Sequence, residues 1–238
     1  MMFYSTKNGK KVFTKNLICS TVLVAGGLLT QMSAMAAPIV LDFEGVGALV
    51  HINGFYNGGT DSLGNSGVNH GIQFRSAISL IDIDVDVSGG GDFANEPSPS
   101  TVIFFQDFEV LNYAPGFDTG FSFFYSSRIA STVKVYDGLD GTGNLIGSLA
   151  LTAQGFDSCT GDPSGGFCNW TAIGISFDGL ARSIDFSESL GFHTLYDDIT
   201  FGSATPGGGG GNQVPEPASL ALLGLGLAGF SFLRHRKT

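Results

Sequence analysis

Four carboxylates stand at the two ends of one long stretch of the chain: Asp42 and Glu44 near its start, Asp197 and Asp198 near its end. If those ends lie side by side, their oxygens and nearby backbone carbonyls form the set a hard cation such as Ca²⁺ takes. The alternative, for Asp197 in particular, is a solvated face. Asp82, Asp84 and Asp86 are weaker candidates, since alternate residues on a strand lie about 6.5–7 Å apart, and they are read as a wet face. Cys159 and Cys168 bracket a short Pro/Gly-rich stretch, and in an oxidising compartment a disulfide is their expected state. Free thiols or a metal pair is the alternative, although no neighbouring Cys or His completes a zinc site. Tyr56 and Asn57 sit in a Gly/Asn-rich segment, and an aromatic face beside polar groups is what a sugar site needs. Filling the core is the competing role for Tyr56, and more so for Trp170. No Gly-x-Ser-x-Gly elbow and no His-Glu-x-x-His pair occurs, and His51, His70 and His193 stand apart. The expectation is a protein without catalytic residues.

The elements that must position these residues are strands. Of 238 residues, 36 are Gly and 21 Phe, with a single Trp, a composition of short strands and tight turns. Alternation of apolar and polar residues marks Ile39–Phe43, Leu80–Val87, Thr101–Phe105, Gly120–Ser126, Thr132–Tyr136, Leu145–Thr152, Thr171–Phe177, Arg182–Phe186 and Leu195–Phe201. In Leu80–Val87 the pattern places Ile81, Ile83, Val85 and Val87 on a buried face and the three Asp on a wet one. The Asp137–Gly143 segment reads as a hairpin loop. Such a set predicts an all-β domain over 37–203, an antiparallel β-sandwich of jelly-roll-like type. That domain holds four basic residues against twenty acids, a net charge of −16. A surface so acidic repels a phosphate backbone, which excludes nucleic acid as a partner, and attracts divalent cations.

Both ends read as addresses. Lys7, Lys10, Lys11 and Lys15 precede an apolar Leu17–Leu29 run and an Ala34-Met35-Ala36 cleavage site, the pattern of a secretory signal peptide over 1–36; an uncleaved anchor is the alternative. A Gly-rich linker covers 204–213 and spans about 20 Å. Val214-Pro215-Glu216-Pro217 follows, then an apolar run over 218–233, then Arg234, Arg236 and Lys237. As a helix that run reaches about 24 Å, a little short of the roughly 30 Å hydrocarbon core. The basic tail makes it a transmembrane helix whose end stays cytoplasmic.

The order and spacing of these three parts over 214–238 resemble the PEP-CTERM sorting signal of Gram-negative bacteria that make extracellular polysaccharide. The resemblance implies that exosortase, the secretion machinery and signal peptidase are partners. It also implies export across the inner membrane, transient anchoring there by the C-terminal helix, and release to the cell surface or extracellular matrix. A plain C-terminal anchor is the competing reading. The segments DFEGVG at 42–47, GFDTGFSFFYSS at 116–127 and YDDITFG at 196–202 are similar to a recurring ectodomain of PEP-CTERM proteins, which implies a sandwich but lends no catalytic residues. By fold-level analogy with jelly-roll carbohydrate-binding modules, the first and last strands would be neighbours and their acids would hold one structural Ca²⁺. Two functions follow: a non-enzymatic surface or matrix protein of the polysaccharide envelope, or a carbohydrate-binding module. A glycoside-active enzyme is the third and weakest.

Overall fold

The computed structural model describes residues 37–154, 159–160, 165–189 and 191–208. The leader 1–36, the sorting motif at Val214 to Pro217, the apolar run 218–233 and Arg234, Arg236 and Lys237 lie outside them. Among the described residues the chain forms nine strands and one 3-10 turn at Pro206–Gly208, with no α-helix. The strands are β1 (Ile39–Leu41), β2 (Ala77–Asp82), β3 (Gly90–Gly91), β4 (Thr101–Phe105), β5 (Val110–Ser127), β6 (Ser131–Tyr136), β7 (Leu145–Leu151), β8 (Thr171–Asp185) and β9 (Thr194–Phe201). They run in the order β3-β2-β4-β9-β5-β8-β6-β7, with β1 beside β9. One aromatic core gathers residues from β2 and β4 near one end of that order and from β6 and β7 at the other. The sheet is therefore folded over its own apolar face in a sandwich-like arrangement.

The alternation of β5 explains most of that core. Phe121, Phe123 and Tyr125 are buried on one face, and successive residues point to opposite faces of a strand. Phe123 meets Tyr125, Phe186 and Tyr196 with ring centroids 5.4–6.2 Å apart in tilted or edge-on geometry, the arrangement aromatic quadrupoles favour. β9 lies beside β5 and is buried almost along its whole length, so Leu195 and Ile199 need no polar partner facing water. The segment from Phe43 to Phe74 forms no long strand, yet Phe43, Ile52, Tyr56, Ile72 and Phe74 all enter the same core.

Three strand expectations change. The Leu80–Val87 strand ends at Asp82, because the Asp82 carboxylate accepts the Asp84 N–H at 3.0 Å and its carbonyl accepts the N–H groups of Val85 and Asp86. A short acceptor side chain that bonds the backbone two residues on competes with the ladder. Val85 and Val87 are consequently exposed (66 % and 95 %), and Asp82 is buried, the reverse of the expected faces. The separate strands at 171–177 and 182–186 are one strand, β8, paired with β5 from Thr171 to Asp185. The sheet is also not wholly antiparallel: β2 and β3 pair in parallel through Ile81 and Gly90.

Cys159 and Cys168 are joined in a disulfide, with Cα atoms 5.5 Å apart. Asp137–Gly143 is the loop of the β6–β7 hairpin, closed by the Gly138 N–H on the Thr142 carbonyl. After β9 the chain lies flat against the sheet. The Ser122 hydroxyl donates to the Ser203 carbonyl at 2.9 Å, and a Cβ at Gly174 would run into the Ala204 carbonyl. The start of the linker is thus seated, and it lies beside Pro38 and Val40 at the beginning of β1.

Replacing Phe123 by Ala is expected to cost about 3–5 kcal/mol in urea unfolding. The half-buried Phe124, on the opposite face of β5, should cost clearly less. Equal losses would contradict the one-sided core.

Candidate functional site

The acidic corner is built by β1 and β9. Their pairing sets Leu41 opposite Ile199, which brings Asp42 near Asp198, and Asp42 and Glu44 together act on the Asp198 carboxyl electrostatically. Burial pushes Asp198 above the usual carboxylate range, and those two negative neighbours push it further. Asp197 is fully buried. Its oxygens accept the Ser98 N–H at 2.8 Å and the Asp198 N–H at 2.7 Å, and the Ser98 hydroxyl lies 2.8 and 2.9 Å from the two. Burial pushes Asp197 up to about 7, against the opposing pull of the Ser98 hydrogen bonds. Glu44 accepts the N–H groups of Ser100 and Thr101 at 3.0 and 2.9 Å, with both hydroxyls on its other oxygen. Two of the four carboxylates are therefore spent on holding the 98–101 turn, while Asp42 stays exposed. Among the described residues no three His, Cys, Asp or Glu side chains converge to hold a metal.

A second feature lies where the β4–β5 loop, the approach to β2 and the β6–β7 hairpin meet. Two cavities of about 690 and 600 Å³ share Arg75 and Phe108. His51, Gln106 and Asp107 border the first; Asn57, Gln73, Asn112, Leu139 and Asp140 are on the second. Their floor is held by Glu109, fully buried, whose carboxylate accepts the Arg75 N–H at 3.1 Å, the Ser76 N–H at 2.6 Å and the Ser76 hydroxyl at 3.0 Å. Burial raises the Glu109 pKa; these hydrogen bonds and the Arg75 charge pull against it. The hairpin tip is fixed as well: Asn112 donates to the Asp140 carboxylate at 2.7 Å and accepts the Asp140 N–H at 2.8 Å. Asp140 adopts φ 56 there, a left-handed conformation that Asp tolerates better than most residues.

The tentative sugar residues separate. Tyr56 is in the core, where its hydroxyl accepts the Phe43 N–H at 2.9 Å and its ring packs on Phe43, Phe55 and Phe74. It offers no platform, because those neighbours already cover its ring. Burial, with the Asp42 charge adding to it, holds its phenol protonated. Asn57 does reach the cavity wall, its amide donating to Gln73 at 3.4 Å. Trp170 is half-buried and donates to the Ala94 carbonyl at 3.1 Å. The sequence reading missed Arg75 and Phe108. Arg75 is one of only four cations between 37 and 203, which was a usable signal. Phe108 follows two other phenylalanines closely, and nothing in its pattern distinguishes it as the exposed one.

A raised Asp197 pKa means the folded protein binds that proton more tightly than the unfolded chain. The resulting stability is complete below the ordinary carboxylate range and is lost as pH rises through about 7. Glu96, Glu109 and Asp198 shift in the same direction. The melting temperature should therefore fall between about pH 4.5 and pH 8. Asp197→Asn should make that slope shallower, and an unchanged slope would exclude Asp197 as its source.

No curated protein matches the chain. Solved structures that resemble it include a family 6 carbohydrate-binding module, 15 % identical, covering 43 % of this chain and 73 % of that one at a TM-score of 0.29. Another is a glycoside hydrolase family 43 arabinoxylan arabinofuranohydrolase from Bacillus subtilis in complex with cellotetraose, 13 % identical. It covers 55 % of this chain and 24 % of that one, at a TM-score of 0.33. Likenesses this distant say nothing of ligand or activity. Residues 213–237, which hold Val214-Pro215-Glu216-Pro217, the apolar run and the basic tail, match the family model of the PEP-CTERM protein-sorting motif, so the chain carries that motif.

Proposed function

We propose that this chain is a non-enzymatic exported protein of the polysaccharide-rich envelope. In this proposal its 1–36 leader is removed, its 218–233 helix holds it briefly in the inner membrane, and exosortase acts near Val214–Pro217 before release to the surface or matrix. The matched sorting segment is the observation that carries the proposal. The seating of Ser203 and Ala204 against the sheet is consistent with it, because the folded body then ends before the sorting segment begins. The body, a sandwich of jelly-roll type in this proposal, contributes as a structural or adhesive part. What favours that role over a dedicated carbohydrate-binding module is the fate of the aromatics: Tyr56, Tyr125 and Tyr196 are buried and make no flat exposed row. A structural Ca²⁺ at Asp42, Glu44, Asp197 and Asp198 is a separate proposal, supported by the charge these groups exert on one another.

Deleting Val214 to Thr238 is expected to move the protein from the cell-associated fraction to the medium or the periplasm. An unchanged distribution on fractionation would overturn sorting by the tail. For the cation, an upward shift of the melting temperature at about pH 7.5 in calcium relative to EDTA is expected, and no shift would refute it.

A further inference from the structure

We infer that the double cavity around Arg75 and Phe108 is a binding site for an uncharged polysaccharide, with the Phe108 ring as its apolar platform. This rests on the envelope association proposed above and names the site and sugar class through which it would act.

The cavities, about 690 and 600 Å³, fall within the roughly 300–1,000 Å³ of small-molecule sites. Phe108 lines both and is 49 % exposed, although the core takes Phe105, Phe117, Phe121 and Phe123 from the strands on either side of it. Its exposure is imposed. The Asp107 carboxylate accepts the Phe108 N–H at 2.7 Å, the Asp107 carbonyl accepts the Ser76 hydroxyl at 2.7 Å, and the next side chain, Glu109, is anchored inward beneath Arg75 and Ser76. With 107 and 109 held, the ring between them projects outward. An apolar ring set among hydrogen-bonding groups suits the C–H face and hydroxyl rim of a sugar.

The polar groups around it decide the class. Among the described residues the Arg75 guanidinium makes no hydrogen bond or ion pair, whereas Lys134, another cation of the body, pairs with Glu188 at 2.5 Å. Arg75 thus keeps its donors for a ligand. The Asn57–Gln73 and Asn112–Asp140 pairs supply amides and a carboxylate already held in place by one another. A hydroxyl both donates and accepts, so a wall mixing the two kinds matches a chain of hydroxyls. A polyanion fits poorly: Asp107 and Asp140 both line the space, and the body around them carries −16. A polycation would meet Arg75.

The test is affinity electrophoresis of the purified full-length protein in gels holding a neutral glucan, a neutral xylan, a neutral mannan or the acidic polygalacturonate. Retardation by at least one neutral polysaccharide, persisting from low to high salt, is expected. Phe108→Ala and Arg75→Gln should each weaken it about tenfold, while Val87→Ala, at an exposed turn away from the cavities, should not. Circular dichroism melting of each variant confirms that it is folded. No retardation by any neutral polysaccharide, retardation by polygalacturonate alone, or full retention in Phe108→Ala would each overturn the site. None of these results touches sorting by the tail, which the deletion of Val214 to Thr238 tests separately.

Discussion

The structure depends on one constraint: an eighteen-residue strand, β5, must bury its aromatic face while hydrogen-bonding to a neighbour on each side. β8 takes one edge and β9 the other, so from Phe121 to Tyr125 the strand has a hydrogen-bonded partner on both sides. Chain order does not hint at this, since β8 and β9 come after the β6–β7 hairpin. Register shifts between Asn112 and Thr119 bend β5, in a segment where Pro115 lacks an N–H to give to the ladder. The bend lets a single sheet fold over a core of phenylalanine and tyrosine rings. Edge-on contacts such as Phe121–Phe201 and Phe186–Tyr196 then fill the interior with few residue types.

Polar groups inside such a core must carry their partners with them. Glu109 and Asp197 do this in the same way, at opposite ends of the chain's logic. Each is a fully buried carboxylate whose oxygens take backbone N–H groups and a serine hydroxyl from a segment that is not itself a long strand. Glu109 ties residues 75–76 to the start of β5, and Asp197 ties Ser98 to β9. Losing either would leave unsatisfied donors as well as an empty space. The raised pKa values of both are the electrostatic cost of using a charge as a tether. They also explain why an acidic protein can place carboxylates inside without ion pairs: a group that can take up a proton is less expensive to bury than a charge that cannot be neutralised.

The same tethers connect stability to the surface. Glu109 holds the floor of the cavities, and the reciprocal Asn112–Asp140 bonds hold their rim, so the space between them has a defined shape. The acidic corner contrasts with it. There Glu44 and Asp197 have turned inward to satisfy the 98–101 turn, which leaves Asp42 and Asp198 facing one another in charge. One surface has been arranged by internal hydrogen bonds into a recess, the other into a knot. The end of the body lies beside Pro38 and Val40, where the beginning of β1 and the start of the linker come together.

The sequence by itself determined the strand class, the hairpin at Asp137–Gly143 and the sorting segment, because each rests on a local pattern: alternation, glycine turns, or a tripartite order that needs no folding to be read. Strand limits at β4 and β6 were legible for the same reason. The fate of Leu80–Val87 was not, since whether an Asp faces water or caps a turn depends on which backbone groups the next strand leaves unpaired. Tyr56 went to the core and Phe108 to the surface for the same kind of reason. Burial is decided by which neighbours a chain brings from far away, and those of Tyr56 come from Phe43 and Phe74. Arg75 and Asp140 lie far apart in sequence and meet at one cavity only because β5 and the β6–β7 hairpin fold towards the same end. That is long-range pairing, and no window of the sequence contains it.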